Sequence, residues 1–170
     1  MASDRRAILL WDLRAPGPVQ RRGGGIAERF FSDSMVTGLQ SVPNSSANQV
    51  LASSNHSLNL FDVRMPSARK DRALLSIPNL TEAPKLNFDI SSRGIVATSV
   101  KRGPSTELRL ISLATGKELR TLKMPKVSPF QPSQVAWFKD ERGLDYLSVC
   151  AGSWMYKWTW AELDDDPEAG

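Results

Sequence analysis

The feature that most constrains this chain is that it repeats itself at a spacing of fifty residues. Ile8-Leu9-Leu10-Trp11-Asp12-Leu13-Arg14 is matched by Leu58-Asn59-Leu60-Phe61-Asp62-Val63-Arg64, and fifty residues further on by Leu108-Arg109-Leu110-Ile111-Ser112-Leu113. The apolar positions superpose: Ile8, Leu58 and Leu108; Leu10, Leu60 and Leu110; Trp11, Phe61 and Ile111; Leu13, Val63 and Leu113. A fourth copy, Trp154-Met155-Tyr156-Lys157-Trp158-Thr159-Trp160, follows 47 residues after the third. Self-similarity on this scale is the signature of repeated supersecondary units, each of which must stack on a neighbour to bury its apolar face.

Each period holds several strands. Gln49 to Arg64 reads as two strands joined by a tight polar turn at Asn55-His56, because successive strand residues face opposite sides of a sheet. Before it lies Met35 to Ser41, and after it Ala73 to Ile77. The next period offers Lys85 to Ile90, Gly94 to Val100, Glu107 to Leu113 and Lys117 to Leu122, with Ala114-Thr115-Gly116 as a hairpin turn whose glycine supplies a positive φ. The last offers Ser133 to Phe138, Asp145 to Cys150 and Trp154 to Trp160. Connectors rich in Pro or Gly separate these runs, among them Arg14 to Gly25, Pro78 to Pro84 and Pro125 to Pro132. No long stretch carries helical periodicity, so the chain is expected to be all-β with four short antiparallel strands per unit.

Four strands per unit, the third ending in Trp11-Asp12 or Phe61-Asp62, and a Thr115-Gly116-Lys117 turn leading into Leu119-Arg120-Thr121-Leu122 together resemble WD-repeat β-propeller blades. The resemblance runs from Ile8 to about Trp160 and implies a partial propeller, with about three four-stranded blades plus strands of a further one. The departures are a missing Gly-His dipeptide and loss of the Asp at Ser112 and Thr159, so the family's hydrogen-bonded tetrad is not expected and apolar packing should hold the units. A kelch propeller, of similar period, would need a Gly-Gly pair ending a strand in each unit; Gly23-Gly24-Gly25 is the one candidate, and it follows Arg21-Arg22 in a connector. Since propellers close with 4 to 8 blades, residues 1–160 read as the C-terminal half of a larger propeller, with the missing blades on the same longer chain or on a second chain. Residues 161–170 read as a disordered acidic tail.

Composition narrows the function. The net charge of +4 conceals a division: Glu162, Asp164, Asp165, Asp166 and Glu168 stand without a base in the last ten residues, so the preceding 160 carry +9. The bases lie scattered through connectors without interleaved aromatics, which disfavours a nucleic-acid site. One histidine and one cysteine leave no set of zinc ligands, and no phosphate-binding glycine loop is present. Cys150, between Val149 and Ala151, reads as a buried structural thiol and His56 as a turn residue. Neither an enzyme nor a cofactor is expected. The apolar run Ala7 to Trp11 is too short for a secretory leader, and no segment reaches the ~20 residues of a membrane span. A single cysteine fits a reducing compartment, and the chain reads as intracellular, nuclear or cytoplasmic. Trp154, Tyr156, Trp158 and Trp160 alternate and so share one strand face, which is expected to pack against a neighbouring unit.

The polar signal left over is arginine two residues after each Asp of the repeat, at Arg14 and Arg64. Two successive Trp-Asp-x-Arg repeats are similar to the motif of substrate receptors for cullin-4 RING ubiquitin ligases, and the last two units are loosely similar to the adaptor-and-cullin-associated factor subfamily. That resemblance implies a non-catalytic protein-interaction module in which Arg14 and Arg64 face the ligase adaptor. The alternatives are a local salt bridge from each arginine to its Asp, and a generic scaffold propeller in a larger assembly that could include RNA.

Overall fold

The computed structural model describes residues 7–11, 26–31, 35–44, 48–54, 57–64, 73–78, 87–102, 105–124 and 132–159. All regular structure among them is β, in thirteen strands and no helix, and hence no helix long and apolar enough to cross a membrane. The chain divides into two compact units, residues 1–79 and 80–170.

In the first unit, β1 (Ala7–Trp11) pairs antiparallel with β2 (Ile26–Phe31). Strand β2 falls just beyond the Arg14 to Gly25 connector, in a run that Glu28-Arg29 interrupts, so alternation does not mark it. Strands β3 (Val36–Ser41), β4 (Gln49–Ser54), β5 (Ser57–Asp62) and β6 (Leu75–Pro78) follow as a four-stranded meander. The expected pairing across the Asn55-His56 position is present, with Val50 opposite Phe61, Leu51 opposite Leu60 and Ser53 opposite Leu58. Both faces of this hairpin are buried: Leu51, Leu58 and Leu60 on one side, Ala52 and Phe61 on the other. Val36, Val63 and Ala73 close over the Ala52–Phe61 side.

Apolar packing is not all that holds the first meander. Ser53, Ser54, Ser57 and Asn59 are also buried, and a buried hydroxyl or amide without a partner would cost ~1–3 kcal/mol. They satisfy one another. The Ser57 amide donates to Ser54 Oγ at 3.1 Å, Asn59 Nδ2 donates to Ser57 Oγ at 2.7 Å, and Ser53 Oγ lies 3.0 Å from Thr37 Oγ1. Periodicity alone does not reveal this network, because Ser and Asn at strand positions read as solvent-facing.

The second unit opens with another meander, β7 (Phe88–Ile90), β8 (Ile95–Arg102), β9 (Ser105–Ser112) and β10 (Glu118–Lys123). The β9–β10 turn is closed by Ser112 N–H to Lys117 O at 3.0 Å and Gly116 N–H to Ser112 O at 2.8 Å, and Gly116 takes the expected left-handed φ of 69°. The chain ends its described part in a three-stranded sheet, β11 (Pro132–Lys139), β12 (Asp145–Ala151) and β13 (Trp154–Trp158).

These two sheets of the second unit pack face to face. Ala97, Leu108, Leu110 and Leu122 of the meander meet Val135, Leu147 and Val149, with Ile95, Met124, Trp137 and Trp158 at the margin. A leucine fully removed from water contributes ~1.5–3 kcal/mol, so Leu108 and Leu147, both at 0% exposure, are central to the contact. Polar ties flank the apolar seam. Asp89 of β7 accepts from the Trp137 amide at 2.6 Å and from the Ile90 amide at 2.8 Å. The buried carboxylate of Asp145 takes the Ser92 hydroxyl, which lies 3.0 and 2.8 Å from its two oxygens.

Candidate functional site

Residues 62–64 leave β5 and turn at once. The Arg64 amide donates to Asp62 Oδ1 at 2.9 Å, a turn in which the short Asp side chain stands in for a backbone acceptor. The guanidinium then folds back onto the same carboxylate, with Nε 3.2 Å from Oδ1 and Nη2 3.1 Å from Oδ2. This is a two-toothed fork, the geometry that a planar guanidinium makes best with a carboxylate. Hydrogen bonding from the Arg64 side chain, and then from its amide, holds the Asp62 carboxyl below the ordinary carboxylate range; the same contact raises the Arg64 pKa. The Asp62 side chain is mostly covered, at 14% exposure, whereas that of Arg64 stands 55% exposed.

The local salt bridge between repeat Asp and Arg is therefore present at Asp62 and Arg64. It does not consume the arginine. A guanidinium carries five N–H donors, the fork uses two, and three remain on a side chain fixed in direction by its neighbour. Such a group can grip a carboxylate or a carbonyl edge on a partner, and because it is already ordered it loses little side-chain freedom in doing so. Arg14, the other arginine of the pair, and Asp12 lie outside the described residues, as do His56, Gly23 to Gly25, Trp160 and the acidic tail.

Other polar and aromatic groups of the described residues are distributed as follows. Cys150 is only partly buried, on the face of β12 opposite Leu147 and Val149, rather than enclosed as expected. The register explains this, since Val149 and Ala151 take the inward positions on either side of it. Arg109 pairs with Glu118 at 2.6 Å across β9 and β10, and Glu118 also takes the Thr121 hydroxyl. Among the described residues, no three His, Cys, Asp or Glu side chains converge as they would around a metal ion.

The aromatic residues of β13 are distributed differently from expectation. Trp158 packs on the core, but Trp154 is 55% exposed and Tyr156 is partly buried. On the other face, Phe138 stacks on Tyr146 with ring centroids 5.6 Å apart, and Lys157 Nζ lies 4.1 Å from the centre of the Tyr146 ring. An ammonium over an aromatic face at an exposed site stabilises by ~0.5–1 kcal/mol.

No family model matches the chain, and no curated protein matches it.

Proposed function

We propose that this chain is a non-catalytic protein-interaction module, a partial propeller of the WD-repeat kind, that docks through Arg64 and Arg14 on the adaptor of a cullin-4 RING ubiquitin ligase. Consecutive four-stranded meanders repeating at fifty residues support the propeller part of this reading, and the remaining blades would come from the same longer polypeptide or from a second chain. The observation that carries the docking part is the Arg64 side chain, held by Asp62 at the exit of β5, more than half exposed, with three donors outside the fork. An arginine spent wholly on an internal bridge would be covered on both sides; this one is more than half exposed.

In this reading Asp62 is a positioning residue, and Arg64 makes the contact. Pull-down of the adaptor from a reconstituted mixture tests it. The unaltered chain should retain the adaptor, Arg64→Ala together with Arg14→Ala should lose it, and Asp62→Asn should weaken it by less than the double change. Equal recovery with the unaltered and doubly substituted chains would end the assignment.

A further inference from the structure

Strand β13 divides its residues between two faces. Trp158 takes the side that packs on the core of the second unit, while Met155 and Lys157 stand on the opposite side, where Met155 lies across from Cys150 of β12. The same outer face carries the Phe138–Tyr146 stack, with the Lys157 ammonium over the Tyr146 ring. At 73% exposure, Met155 is the most open large apolar side chain among the described residues. The other described methionines are not open in this way. Met35 is half-buried, and Met124, half-buried as well, packs against the core of the second unit.

We propose that Met155 is a reversible oxidation site, converted to the sulfoxide by hydrogen peroxide and restored by thiol-dependent methionine sulfoxide reductases, with the fold intact in both forms. In the forward step a sulfur lone pair attacks one peroxide oxygen and the O–O bond breaks. That oxygen stays on sulfur and the other leaves as water, so sulfur loses two electrons and the peroxide gains them. In the return step the sulfoxide oxygen leaves as water while two thiols close to a disulfide and supply the two electrons. Access decides which thioether reacts. One packed on a core meets peroxide only when the core opens, and its sulfoxide would set a polar S–O group among apolar ones. Met155 faces neither obstacle, because the oxidant reaches it in the folded chain and the new oxygen is solvated where it forms. Oxidation turns a flexible apolar side chain into a polar, chiral one. The outer face of the third sheet thereby loses its most exposed apolar group while the core is left as it was. This site is separate from Arg64 and does not depend on the role given to it.

The full chain is treated with hydrogen peroxide while folded, and sulfoxide at each methionine is followed by peptide mass spectrometry. A parallel sample carries Cys150→Ser, so that no thiol competes for the oxidant. Met155 sulfoxide should form at least about tenfold faster than Met124 sulfoxide, and the two rates should converge in urea, since susceptibility follows exposure. Met155→Leu should remove the fast phase. Chain collected at the end of the fast phase should keep the urea midpoint of the untreated chain, and the two epimer-specific sulfoxide reductases with dithiothreitol should return Met155 to the thioether without denaturant. A Met155 rate no faster than that of Met124, a fast phase that survives Met155→Leu, a urea midpoint that falls with oxidation of Met155, or a sulfoxide that the reductases leave in place would each overturn the proposal.

Discussion

Strands β5 and β13 both stand third in their sheets, yet among the strands whose burial is described along their full length one is the most enclosed and the other the most open. Ser57 to Phe61 are buried without a break, on both faces. Along β13 only Tyr156 and Trp158 escape full exposure. The difference lies in what surrounds each strand: β5 has neighbours on both edges, β4 and β6, while β13 has β12 alone among the described residues. Where both edges and both faces are occupied, even polar residues can be internal, provided they bond to one another as Ser54, Ser57 and Asn59 do. On β13 the core side is taken by Trp158, and Met155, on the opposite face, stays at the surface.

The sharpest way to break this comparison is to truncate one side chain in each of two third strands. Leu108→Ala should destabilise the second unit by about 2–5 kcal/mol, the range for an enclosed leucine, whereas Met155→Ala should change stability by less than about 0.5 kcal/mol, as for an exposed site. Urea unfolding followed by tryptophan emission reads both. Comparable losses would mean that β13 is covered in solution. Next in size is Ser92→Ala, which leaves the enclosed Asp145 carboxylate without that hydroxyl and should cost about 1–3 kcal/mol. Ser92→Thr, which keeps the hydroxyl, should lose less. If alanine were harmless, the Ser92–Asp145 contact would contribute nothing to joining the two sheets of the second unit.

The smallest effect concerns the exit of β5. Because the folded Asp62 carboxyl is held below its ordinary pKa by Arg64, the stabilisation it gives is present above the ordinary carboxylate range and fades as pH falls through the depressed folded value. A carbon-detected NMR titration should find the Asp62 midpoint lower in the unaltered chain than in Arg64→Ala. Coincident midpoints would mean that the fork does not persist in water, and with it would go the argument that Arg64 is held ready for a partner.

Much of the architecture was legible in the residues, because period-two alternation and turn glycines are local signals. The Gly116 turn and the β4–β5 pairing follow from them directly. Strand β2 did not, since its Glu28-Arg29 centre and the glycine run before it resemble a connector. The buried serines could not be read either, for a hydroxyl announces exposure until a second hydroxyl is known to face it. At the candidate site the sequence pointed to Arg64 and allowed for a bridge to Asp62. It could not say that the bridge leaves the guanidinium outside, which depends on how abruptly residues 62–64 turn. The Trp-rich end was misjudged in part for the opposite reason: alternation correctly placed Trp154 and Trp158 on one face, but alternation carries no information about whether that face extends past its cover.

One property of the sheets has a consequence for how the chain is made. In each of them the hydrogen-bonded neighbours are successive strands, with no crossover. Strand pairing therefore closes only short loops, whose entropic cost grows slowly with length, and does not require a segment that emerges late from the ribosome. Meanders of this sort can assemble one after another during synthesis, in the order in which the chain appears. Pulse-labelled hydrogen exchange on refolding should accordingly find protection arising within each meander before it arises between the two sheets of the second unit.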